Sequence, residues 1–169
     1  ISPTIFGAVF ESTLNPATRR AGGMHYTSIE NIHKVIDPLF LDELKAEMAD
    51  IKATSVLKVK KERASAFQNK ISGLKFFDPA CGSGNFLTES YTCLRRLENE
   101  ALRIIYGGDR LIGEMADPIK VSINQFYGIE INDFACSVAQ TALWIAESQM
   151  MQETDAIVGY SLNPLPLKT

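Results

Sequence analysis

The chain has 169 residues, 46% hydrophobic and 22% charged, with a formal net charge of −3. That suits one domain with a real core, and it lacks the basic excess by which a chain grips nucleic acid unaided. There is no long apolar run or signal-peptide pattern. The three cysteines form no C-x-x-C pair, with only His25 and His33 beside them. The expectation is a cytoplasmic protein with no membrane span and no metal.

Residues 1–15 have no clear period. Phe6, Val9, Phe10 and Leu14 would line one face of a short helix, expected as the end of an upstream helical linker over 1–20. A polar, Gly-containing loop follows to Ser28. Ser28, with Glu30 and Asn31 behind it, predicts a helix start. Ile29, Ile32, Val35, Ile36, Leu39, Phe40 and Leu44 recur at helical spacing. Pro38 is expected to end or kink the first helix near Ile36, and a second should run from about Leu39 to Ala53. Lys58, Lys60, Lys61, Arg63 and Lys70 make the next stretch basic, the pattern of a solvated helix face. Ala64, Phe67 and Ile71 give it a narrow apolar stripe, and Gly73 a C-cap.

Apolar residues from Leu74 to Phe77, broken by Lys75, predict a strand. Asp78-Pro79-Ala80-Cys81-Gly82-Ser83-Gly84 then forms a small-residue loop, and a helical pattern opens at Asn85. Such a loop lets backbone N–H groups approach a ligand, and the helix start adds unpaired donors and a positive dipole end. The expected guest carries an anionic group. A dinucleotide fingerprint fails because Leu87 stands at the third glycine position and the next strand-ending acid is Glu130, not one about 20 residues on. A P-loop fails for want of Gly-Lys-Ser/Thr. The bland alternative is a Gly-rich turn with no ligand.

A long helix should run from Phe86 through Ile105 to Gly107-Gly108, with Arg95, Arg96, Glu98 and Glu100 on its polar face. Asp109 to Pro118 is expected as a loop. Phe126 to Ile131 predicts a second strand with Glu130 at its end, where a carboxylate can accept both hydroxyls of a ribose. A third long helix should span Asp133 to Met151, with Ala135, Val138, Leu143, Ile145 and Ala146 inward and Trp144 in the core. Val158 to Lys168 has no period and predicts a loop.

The stretch Asp78-Pro79-Ala80-Cys81-Gly82-Ser83-Gly84-Asn85-Phe86-Leu87 resembles motif I of the S-adenosylmethionine (SAM)-dependent DNA methyltransferases, above all those that modify adenine N6. His25-Tyr26-Thr27-Ser28 resembles their motif X, although simple helix capping is the alternative for Thr27 and Ser28. Gly128-Ile129-Glu130-Ile131-Asn132 resembles motif II. The run from Arg20 to Leu44 followed by motif I is similar to the fused type IIG, MmeI-like restriction–modification enzymes.

That resemblance implies an α/β, Rossmann-like methyltransferase fold: an incomplete doubly wound parallel sheet preceded by helices. Residues 21–169 would be the SAM-binding half of the domain. The resemblance places Tyr26, Thr27 and the backbone of Ala80, Cys81, Gly82, Ser83 and Gly84 at the methionine end of the cofactor, with Asn85 and Phe86 adjoining. It places Asp78 at the methionine ammonium, Glu130 on the ribose, Ile131 on the adenine, and Asn132 beside them.

It implies no catalytic residue here, because the Asn/Asp/Ser-Pro-Pro-aromatic loop that activates the target amine is absent. Asn163-Pro164-Leu165-Pro166 lacks the second consecutive proline and the aromatic. The fragment alone should be inactive, and double-stranded DNA should be held mostly by other parts of the parent. A non-catalytic SAM-binding module, or a methyltransferase for a small molecule or protein, are the alternatives.

Overall fold

A computed structural model of the chain describes Val9 and residues 27–107 and 118–159. The expected linker (save Val9, which is helical), Tyr26, and Asn163 to Pro166 lie outside the described residues.

Helix α1 covers Ile29–Ile36, and its N-cap is the predicted Ser28, whose Oγ accepts the Asn31 N–H at 3.4 Å. The first α-helix ends at Ile36, as Pro38 predicts, but the chain keeps a helical course. Pro38 sits inside a π-helical turn, Asp37–Leu41, closed by the Asp42 N–H on the Asp37 carbonyl, and α2 continues over Asp42–Ala53. The wide turn absorbs the missing proline donor without leaving the helical course. Helix α3 spans Leu57–Ser72, ends on Gly73, and buries Ala64, Phe67 and Ile71 as expected. Part of its basic run is used internally: Arg63 pairs with Asp50, and Lys70 with Glu47 at 2.7 Å.

Strand β1, Phe76–Asp78, leads through the glycine loop into α4, Asn85–Tyr106. A single turn of 3₁₀ helix, Ile123–Gln125, precedes β2, Phe126–Gly128, and α5 follows over Asp133–Val158. The strands are parallel, with Phe76 opposite Phe126 and Asp78 opposite Gly128. Alternation along a strand puts Phe76 and Phe126 on one face and Phe77 and Tyr127 on the other. The first pair stacks at 4.9 Å, with Phe40 edge-on to Phe76 and Tyr91 edge-on to Phe126. Those rings join the helices to the sheet in one apolar core. Phe77 and Tyr127 are exposed.

Five expectations need correction. The first strand begins at Phe76 rather than Leu74. The second ends at Gly128, so Glu130 lies two residues past it. There the Cys81 N–H bonds the Ile129 carbonyl at 3.0 Å, and the chain runs beside the loop instead of a strand. Helix α5 runs seven residues beyond Met151 because Met150, Thr154 and Val158 extend its buried stripe. Trp144 is 40% exposed, not core. The buried face of α5 is built of Ala135, Ala139, Ala142 and Ala146, which allow close helix approach, and Leu143 and Ile145 are half-buried beside it.

The fifth concerns α4. Arg95 and Glu98 are not on a solvated face: both are fully buried and paired with each other. Glu98 also accepts from Gln68 Nε2 and the Lys120 N–H, each at 2.7 Å, and from the Val121 N–H at 3.2 Å. Arg95 reaches the Thr154 hydroxyl at 2.7 Å. Sequence periodicity alone cannot distinguish a charge facing water from one facing a complementary charge on neighbouring elements.

Candidate functional site

The loop between β1 and α4 is shaped by two glycines with left-handed backbone, Gly82 at φ 52° and Gly84 at φ 76°. Their surroundings differ. A Cβ on Gly84 would stand 2.8 Å from the Cβ of Ala139, so α5 packs directly on the loop there. A Cβ on Gly82 would meet nothing within 4 Å among the described residues, so Gly82 borders open space there. Gly128 is also sterically required, since its Cβ would fall 2.6 Å from Cys81 Sγ. The side of the loop is thus closed by protein and its top is open.

Glu130 ties this loop to the segment after β2. Its Oε2 accepts the Gly82 N–H at 3.0 Å, and its Oε1 accepts the Asn132 N–H at 2.8 Å. Each carboxylate oxygen has two acceptor sites, so each retains one for a ligand hydroxyl. Asn132 caps α5 through Oδ1, which accepts from the Phe134 and Ala135 N–H groups at 3.0 Å each. Asp78 closes the base of the loop, accepting the Ala80 N–H at 3.0 Å. The N-cap of α4 is Gly84, so no side chain occupies the donors of its first turn. They remain available to an anion.

The predicted residues fall into three groups. Asp78, Ala80, Cys81, Gly82, Glu130 and Asn132 form one bonded cluster. Ser83 and Asn85 are buried, with Phe86 half-buried; Ile131 is 93% exposed among the described residues. Thr27 is half-buried ahead of α1, and among the described residues no hydrogen bond joins it to the cluster. Burial, then the nearby Asp78 and Glu130 carboxylates, push the Cys81 thiol up to about 11. It is neutral near pH 7 and no nucleophile. The arrangement therefore binds rather than reacts: donors for a carboxylate, an acid for a cation, and a second acid with spare acceptors for a diol.

A second grouping escaped the sequence reading. His33 of α1 meets Glu89 and Cys93 of α4. The four-residue spacing of Glu89 and Cys93 was visible, but nothing in the sequence pairs them with a histidine 56 positions earlier.

The family model described as "MmeI, DNA-methyltransferase domain" matches residues 54–169, about two thirds of the chain. The chain belongs to the MmeI DNA-methyltransferase domain family. It is 44% identical, over its whole length, to DNA methyltransferase A of Bacillus subtilis (strain 168), covering 18% of that protein. It is 31% identical over 43% of its length to the adenine-specific methyltransferase PglX of Streptomyces coelicolor, covering 5% of that protein. The solved structure of the type IIL restriction–modification enzyme MmeI in complex with DNA superposes at a TM-score of 0.86, with 43% identity. It covers all of this chain and 22% of the MmeI chain. The chain thus spans about a fifth of the length of its longest-covered relatives. Helices α1 and α2 precede the matched residues, yet the MmeI structure covers them too.

Proposed function

We propose that this region holds SAM in a parent enzyme that methylates adenine N6 in double-stranded DNA within a restriction–modification system. The observation that carries the reading is Glu130, braced by the Gly82 and Asn132 N–H groups beside an uncapped helix N-terminus. Membership of the MmeI methyltransferase family supports methyl transfer. The adenine specificity in the name of PglX supports the target, and the DNA complex of MmeI supports the partner.

When bound, SAM supplies an electrophilic methyl group on a sulfonium. This chain's residues orient it. The Ala80, Cys81, Gly82 and Gly84 N–H groups hold the loop in shape, so the Ser83 N–H and the first-turn N–H groups of α4 would receive the methionine carboxylate, and Asp78 its ammonium. Glu130 takes the ribose hydroxyls, Ile131 covers the adenine, and Thr27, with Tyr26, adjoins the methionine end. Orientation is the main contribution, because a properly placed acceptor amine needs little acid–base help from this half.

The exposed Phe77 and Tyr127 face, on our reading, is covered by later helices of the parent, completing a Rossmann-like doubly wound sheet. The DNA and the amine-activating loop belong to those later parts, so the fragment alone transfers no methyl group. No helix of the described residues is long and apolar enough to cross a membrane, and we place the parent in the cytoplasm.

Calorimetry on the full-length parent tests the assignment. SAM and its demethylated product should bind and NAD should not. NAD binding more tightly than SAM would reverse it.

A further inference from the structure

We propose that His33, Glu89 and Cys93 bind one divalent ion of the zinc class, which ties α1 to α4. Their ligand atoms lie within 4.8 Å of one another. Tetrahedral zinc, with bonds of about 2.0–2.1 Å to nitrogen and oxygen and about 2.3 Å to sulfur, sets its ligands roughly 3.4 Å apart for N and O and roughly 3.6 Å for S and O. His33 Nε2 lies 3.3 Å from Glu89 Oε1, and Cys93 Sγ lies 3.7 Å from the same oxygen. Two edges of the tetrahedron are therefore already in place.

The orientation of the imidazole is also supplied. His33 Nδ1 lies 2.7 Å from Asp37 Oδ1. A carboxylate on the far nitrogen fixes the tautomer that leaves Nε2 free to ligate, the arrangement general to metal-bound histidine. Glu89 and Cys93, four residues apart on α4, present their ligand atoms on one face. A cavity of about 440 Å³, lined in part by His33, Cys93 and Met48, adjoins the triad and leaves room for a water as fourth ligand.

The charges balance. Burial, then Glu89, push the Cys93 thiol up to about 12. The ion displaces the thiol proton to solvent, and one thiolate and one carboxylate neutralise the two positive charges. Lys45, 3.8 Å from Asp37, and Arg96 and Lys52, which line the cavity, lie around the triad. The rival arrangement is a protonated His33 bridging Asp37 and Glu89. It accounts for the nitrogen contacts, with the Cys93 S–H donating to Glu89 Oε1, so metal content and the thiolate band decide between the two.

The expected consequence is mechanical. The ion would fix the segment that starts at Ser28 against the helix that starts at Asn85. The test uses the full-length parent, stripped with a chelator, reloaded with zinc or cobalt, desalted, and measured by elemental mass spectrometry.

Wild type should retain one more ion per chain than His33→Gln or Cys93→Ser, so any cation held elsewhere in the parent cancels. The cobalt form should show a thiolate-to-cobalt charge-transfer band that both variants lose. Equal metal content in wild type and a folded His33→Gln variant, with no such band, would overturn the proposal. His33 is partly exposed, so this variant decides the matter even if Cys93→Ser fails to fold.

Discussion

Glu130 and Glu98 are the same chemical group in opposite circumstances. Glu98 is fully buried between α3, α4 and the segment before β2, and its acceptor sites are filled by Arg95, Gln68 and two backbone N–H groups. Glu130 is half-buried at the strand ends and takes two N–H groups, one on each oxygen. A saturated carboxylate can only hold structure together. An unsaturated one, held rigid by backbone, has capacity to spend on a guest. Spare acceptor capacity, rather than the presence of an acid, therefore separates the binding face from its helical support.

Removing charge from the support should have the largest effect. Arg95→Ala leaves Glu98 buried without its cation and should cost about 3–5 kcal/mol of stability in denaturant unfolding. SAM affinity of the remaining folded protein should be unchanged. A loss below about 1 kcal/mol would erase the contrast between the two regions.

The glycines sharpen the comparison within the loop. Gly84→Ala combines left-handed strain of about 1–2 kcal/mol with overpacking of about 1–3 kcal/mol against Ala139. Gly82→Ala carries the strain alone, about 1–2 kcal/mol. Unfolding midpoints of the two variants should therefore differ, with Gly84→Ala the less stable. Equal midpoints would mean that α5 moves aside at little cost.

The smallest stability change should come from the acid on the binding face. Glu130→Ala should weaken SAM binding by roughly 1.5–3 kcal/mol, the scale of a hydrogen bond to a charged group. It should destabilise the fold less than Arg95→Ala does. Titration calorimetry beside an unfolding curve separates the two effects, and an unchanged affinity would place the ribose elsewhere.

The hydrogen-bonded cluster of the candidate site is built from residues the sequence marks locally. Asp78 to Asn85 and Glu130 to Asn132 are short contiguous runs, and the helix starts at Ser28, Asn85 and Asp133 follow from nearby residues. What stayed hidden depends on partners remote in the chain. Arg95 resembles a surface residue until Thr154, 59 positions on, is brought to it. Trp144 resembles core until its position two residues from both Ala142 and Ala146 turns it away from the buried alanine face of α5. Strand length was misjudged because an apolar run says nothing about where ladder pairing gives way to the loop.

The bond from Gly82 to Glu130 has one more consequence. It makes the anion-binding loop and the diol acceptor a single ruler. The spacing between them is set by one hydrogen bond and a few covalent links, so it cannot stretch to suit a longer guest. On the proposed function, selectivity is then a matter of length. A ligand is accepted when its carboxylate and its ribose are separated by one thioether-sized bridge.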